Sequence, residues 1–198
     1  MVTVPATRKT KATHAKLIAA AREAMRREGT ISPEFVAETA DLAPATLYTY
    51  FASKDLLLAA AFDAALGEIG DAIEPILTVE RLLEEGWESL SRHLVRSVVK
   101  GFSHDGRLVR LAVTRVVDSP EVLEVYNRRT AEQLDLLSRF IRLGMAAGHL
   151  RKGDPTVLAR SLLLLLQALQ NPLALRPGMG PVVDEMARTV HHLLHLDV

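Results

Sequence analysis

Apolar residues recur at intervals of three and four along most of this 198-residue chain, and no long β-branched run alternates with polar residues. That spacing calls for helices that each bury one face, and it argues against a sheet as the organising layer. Leu17, Ile18, Ala21, Ala24 and Met25 show it plainly, at i, i+1, i+4, i+7 and i+8. Hydrophobic residues make up 48% of the chain, rich in Ala and Leu, which is enough for a sizeable core. The fold class expected is all-α.

Capping and breaking residues set the boundaries. Thr13 is placed to cap a first helix that ends at Gly29, after Arg26 and Arg27 in its last turn. Ser32, Pro33 and Glu34 then open a second, with Phe35, Val36, Thr39 and Ala40 as its buried face. Asp41 to Ala43 form a short break, and Pro44 starts a third helix that runs through Phe51. Two short helices joined by a tight turn and braced by a longer one make a helix-turn-helix. Ser53 caps a fourth helix, KDLLLAAAFDAALGEIGDAI, which Pro75 closes. Beyond it the pattern predicts helices from Val79 to about Lys100, Gly106 to Val117, Pro120 to about Gly148, Asp154 to about Asn171 and Val182 to about Leu196. Their dividers are SHDG, DSPE, GHLRKGDP and the proline- and glycine-rich PLALRPGMGP.

Composition removes several function classes. The chain has no cysteine, so disulfides, thiolate metal sites and a cysteine nucleophile are excluded. No nucleophile elbow, phosphate loop or H-E-x-x-H pattern is present, so no catalytic residue and no cofactor is expected. His191 and His195 lie four apart on one helical face, but two imidazoles without a third ligand do not make a metal site. The N-terminus lacks an apolar stretch of signal-peptide length, and the runs LLLAAAF and LLLLL fall short of the roughly 18 residues of a spanning helix. A soluble, cytoplasmic protein is expected, with no membrane partner.

Formal net charge is zero, yet Arg8, Lys9, Lys11, Lys16 and Arg22 all precede the first acid, Glu23. Such a run is either a solvated arm or one that lies along phosphates. Tyr48, Tyr50 and Phe51 raise a similar choice, being three of only nine aromatic residues, gathered within four positions. They are core, or they touch something.

The stretch SPEFVAETADLAPATLYTYFASKDLLLAA resembles the N-terminal DNA-binding domain of the TetR family of bacterial transcriptional regulators. VAETADLA is similar to the family's I-A-x-x-A-G-V-S, and TLYTYFASKDLLL to its T-L-Y-x-Y-F-x-S-K-E-x-L-L. Asp41 stands where the family has a turn glycine, Ala43 where it commonly has a serine cap, and the link between the first two helices is about two residues short. Loss of that cap costs about 1 kcal/mol of local helix stability.

The resemblance implies a basic arm at 1–12, a helix-turn-helix domain at 13–55, and a helical effector-binding and dimerisation domain at 56–198. Leu47 and Phe51, four apart, are assigned to the core of the reading head. Ala45, Thr46, Tyr48, Thr49, Tyr50 and Lys54 are implied DNA contacts, and the helix starts at Thr13 and Ser32 offer amides to phosphates. Partners implied are a double-stranded DNA operator, a small hydrophobic or amphipathic effector and a second copy of the chain. The expected function is a ligand-released repressor that binds a palindromic operator as a homodimer. A helical ligand-binding or scaffold protein without operator binding is the alternative, and catalytic turnover would identify an enzyme instead. The segment ARSLLLLLQALQ, apolar almost all round, suits a dimer interface. Trp87, His93, Tyr126 and Phe140 are the first positions to inspect for an effector pocket.

Overall fold

The computed structural model describes residues 8–196. Among the described residues the secondary structure is helical throughout: α1 (Arg8–Glu28), α2 (Pro33–Thr39), α3 (Pro44–Tyr50), α4 (Lys54–Ile73), a single 3-10 turn at Glu74–Ile76, α5 (Val79–Arg115), α6 (Pro120–Ala146), α7 (Pro155–Ala168) and α8 (Gly180–Leu194). The all-α expectation holds.

Of the three N-caps expected, at Thr13, Ser32 and Ser53, the two serines agree with the structure. The Ser32 hydroxyl accepts from the Phe35 amide at 3.4 Å at the start of α2, and the Ser53 hydroxyl accepts from Leu56 at 3.1 Å at the start of α4. Asp41 takes the left-handed conformation, at φ 52°, that the turn between α2 and α3 demands. Ala43 precedes α3 with no side-chain cap, as its methyl group requires.

Two boundaries are corrected. The first helix begins at Arg8 rather than Thr13, because Arg, Lys, Thr and Ala at 8–12 include no breaker and helix propagation continues through them. Residues 8–12 of the expected arm are therefore helical, and 1–7 lie outside the described residues. The helices expected at 79–100 and 106–117 are one, α5, which passes through SHDG without a break. There Phe102 and Asp105 are buried, and the Ser103 hydroxyl donates to the Lys100 carbonyl at 2.7 Å. Gly101 sits there for closeness, not for a turn: a Cβ would come within 2.5 Å of Ile69 Cγ1. The irregularity in α5 falls instead at Gly86, whose φ of 74° only glycine adopts readily.

The described chain forms two compact units. The first holds residues 8–66 and Arg107–Asn127; the second holds Gly67–Gly106 and residues 128–196. In the first, Leu17, Ala21 and Met25 of α1 are buried together with Val36, Leu47, Phe51 and Leu57. Each fully buried Leu or Phe contributes roughly 2 kcal/mol from its apolar surface. The second is closed around Leu90, Leu94, Phe140, Ile141, Leu162 and Val190. Within it Trp87 lies against Phe140, ring centroids 5.8 Å apart, and its indole donates to the His191 carbonyl at 3.0 Å.

Candidate nucleic-acid interface

The candidate site is the outer face of α3. A seven-residue helix cannot hold its shape alone, so it is anchored by Leu47 and by its C-cap Phe51, both almost completely buried. Four residues span just over one turn, which puts these two on one side and turns the others outward. Ala45 and Thr49 are exposed, Tyr48 is 53% exposed, and Thr46 and Tyr50 are half-buried. The aromatic trio is thus divided: Phe51 is core, Tyr48 is surface, and Tyr50 lies at the margin.

His14 is what Phe51 is packed on. Their rings stack at 4.8 Å between centroids and 26° between planes, and Tyr50 stands 6.4 Å from the same imidazole. This links α1 to the end of α3 through a titratable group. Burial leaves His14 Nε2 without a hydrogen-bond partner and lowers the imidazole's pKa below its usual value of 6.5. Because the folded value is the lower one, the unfolded chain takes up the proton first. Stability is full above about pH 6.5 and is lost as pH falls below it. Replacing His14 by Phe, a ring that stacks but does not titrate, is expected to flatten this loss; urea midpoints at about pH 7.5 and about pH 5 for both proteins measure it.

The hydroxyls of the site are not equally free. Thr49 Oγ1 donates to the Ala45 carbonyl at 3.2 Å, so outward it offers an acceptor rather than a donor. Ser32 Oγ donates to Glu34 Oε2 at 2.7 Å while accepting from Phe35. That hydrogen bond, chiefly, holds the Glu34 carboxyl below its usual pKa, with the Lys54 charge contributing. A carboxylate already sits at the start of α2. The amides expected at Thr13 are also elsewhere, because Thr13 is a half-buried residue inside α1, more than a turn beyond its first residue.

The nearest basic residues in sequence lie outside α3. α3 carries no basic residue, while Lys54 at the start of α4 and Lys16 on α1 are both exposed. Asp55, next to Lys54, is paired with Arg115 at 2.9 Å, which offsets its negative charge. Arg27 lies 5.7 Å from the centre of the Phe35 ring, bracing the end of α1 against α2. Glu34 and His14 were the residues missed in sequence. Only His14 carried a signal, since with Leu17 and Ile18 it completes the i, i+3, i+4 face of α1.

Among the effector candidates, Trp87 and Phe140 are core, Tyr126 is half-buried, and His93 is exposed and lines a surface cavity. The rings of His191 and His195 are 4.6 Å apart, with His192 beside them, but among the described residues no three His, Asp or Glu side chains are placed to hold a metal ion. No described helix is long and apolar enough to cross a membrane.

No protein-family model and no curated protein matches the sequence. Solved structures do match. A TetR transcription regulator from Haloarcula marismortui superposes with a TM-score of 0.75 at 17% identity, over 92% of this chain and 96% of its own. The reduced form of NemR from E. coli does so at 0.74 and 16%, over 94% and 100%. SmeT, the repressor of the Stenotrophomonas maltophilia multidrug efflux pump SmeDEF, does so at 0.66 and 20%, over 93% and 91%. The likeness runs the length of the chain, past the helix-turn-helix and into helices whose sequences carry no family motif. The chain has the fold of the TetR-family transcriptional regulators.

Proposed function

We propose that this protein is a TetR-type DNA-binding transcriptional regulator, a repressor that holds a palindromic operator as a homodimer and releases it when a small hydrophobic or amphipathic molecule binds. One observation carries the reading: α3 buries Leu47 and Phe51 and turns Ala45, Thr46, Tyr48 and Thr49 outward, the division a major-groove helix needs. Methyl groups of Ala45 and the threonines suit thymine methyls, and the Thr and Tyr oxygens suit base edges or phosphates. Lys54 and Lys16 supply charge to the backbone. In this reading residues 13–55 read DNA and residues 56–198 serve effector and partner.

The homodimer is supported by α7. Its buried face is Leu158, Leu162 and Leu166, yet Val157 is 56% and Leu164 is 67% exposed on the outside. Solvent-facing aliphatic residues seven apart on an otherwise apolar helix suit a second copy of the chain. Symmetric operators need a symmetric reader. Population shift then gives release: an effector that prefers the arrangement in which the two heads miss successive major grooves opposes DNA.

Selection of bound fragments from genomic DNA tests the regulator. A palindromic site enriched over random duplex is expected, and no enrichment would return the chain to the helical binding-protein alternative. At residue level, Lys54→Ala is expected to weaken all duplexes alike and lower the salt slope by about one unit, whereas Thr46→Ala shifts base preference. Titrations at several salt concentrations separate the two.

A further inference from the structure

The effector expected of such a regulator has a chemistry that the second unit specifies. Between Ser89 and His104 α5 carries Arg92, His93, Arg96, Lys100 and His104 and no carboxylate. His93, Arg96 and Lys100 fall at successive turns, so they share a face. On that face lies a cavity of about 340 Å³, lined by Arg81, His93, Arg96 and Lys100 with the Ser97 hydroxyl and Ile76. Arg96 also lines a second surface cavity, of about 390 Å³, whose other walls include Val99 of α5, Leu175 and Met179 of the α7–α8 connection and Val183 of α8, with Ser103, Arg176 and the Asp184 partner of Arg96 at its polar side. Arg96 therefore lines both a cationic surface recess and a mixed one with an aliphatic side.

The charge balance on the cationic side is incomplete. Glu85 takes Arg81 at 2.6 Å and approaches His93 at 3.3 Å, and Asp184 takes Arg96 at 3.2 Å. Lys100 is exposed and has no carboxylate partner among the described residues; Arg176, at the second cavity, has none either. The Arg96–Asp184 pair is itself largely solvent-exposed, so it yields to a competing anion at small cost. A neutral apolar molecule would leave these cations unused. A small inorganic anion would leave the aliphatic walls wet.

We propose that this pair of recesses binds an amphipathic organic anion, its head held by Arg96 and Lys100 and its hydrocarbon body laid against Val99, Leu175, Met179 and Val183. The proposal names the class of effector for the regulator described above and rests on that reading only for its effect on DNA.

Titration calorimetry with the full chain, using decanoate, decyl phosphate, decanol and inorganic phosphate as probes, tests it. Saturable binding of decanoate or decyl phosphate is expected, at least about tenfold tighter than decanol or inorganic phosphate, and the tighter of the two identifies the head group. Arg96→Gln and Lys100→Gln should each weaken that probe by about tenfold, while Arg92→Gln, the same charge lost from the same helix outside both recesses, should leave it unchanged. All three sites are exposed, and far-UV circular dichroism confirms that the variants remain folded. Equal binding of decanol, absence of saturable binding by either organic anion, or equal loss in the Arg92 variant overturns the site. The DNA reading is judged separately: a probe that binds through Arg96 yet leaves operator binding intact keeps the site and removes ligand release.

Discussion

Phe51→Ala is expected to unfold α1 to α3 under conditions that leave the second unit folded, with a loss of about 3–5 kcal/mol. Phe51 is almost fully buried, closes α3 through its amide to the Leu47 carbonyl at 2.9 Å, and carries the stacked ring of His14. Truncation removes a ring at the one place where a seven-residue helix is fastened, and α3 is too short to survive on local propensity. Hydrogen exchange would show protection lost across α1 to α3 and retained at Leu90 and Leu94 of α5. Tyr48→Ala is the control. Three positions away but on the exposed face, it should change stability by no more than about 0.5 kcal/mol. If the two substitutions cost the same, the division of α3 into a buried and an exposed face is wrong.

The second large effect is expected at Trp87. Truncation to Ala removes a buried ring from Phe140 and deprives the His191 carbonyl, one of the acceptors that the end of α8 leaves without a backbone partner, of its indole donor. The ring accounts for about 3–5 kcal/mol and the unsatisfied acceptor for about 1–3 more. Trp87→Phe separates the two contributions, keeping most of the packing and losing the hydrogen bond, so about 1–3 kcal/mol is expected. Because this is the chain's single tryptophan, unfolding must be followed by far-UV circular dichroism rather than intrinsic fluorescence. A Phe variant as unstable as the Ala variant would show that the donor, not the ring, holds α8.

What the sequence made legible was local. The starts of α2 and α4 were readable because Ser32 and Ser53 act within three residues of themselves. The sides of α3 followed from a spacing of four. What escaped was set by contacts distant in sequence. SHDG looked like a break, but Asp105 is buried and Gly101 is pressed by Ile69, thirty-two positions earlier. Helix propensity cannot distinguish a glycine kept for closeness from one kept for a turn. The start of α1 was placed late because residues 8–12 offer no apolar stripe to count. In the site, exposure was legible and hydroxyl usage was not. The bonds from Thr49 to Ala45 and from Ser32 to Glu34 depend on rotamers, which sequence spacing does not encode.

The stack of His14 on Phe51 has a use in the laboratory. His14 is the one histidine among residues 1–66 and 107–127, so its ring protons are a single, assignable pair of signals for that unit. Lying face to face with a phenyl ring at 4.8 Å, they sit in its shielding cone and resonate upfield of an exposed histidine. Undocking of α3 returns them to the ordinary position. One-dimensional proton NMR can therefore follow the seating of α3, with no label and no substitution, while the proposed partners are added.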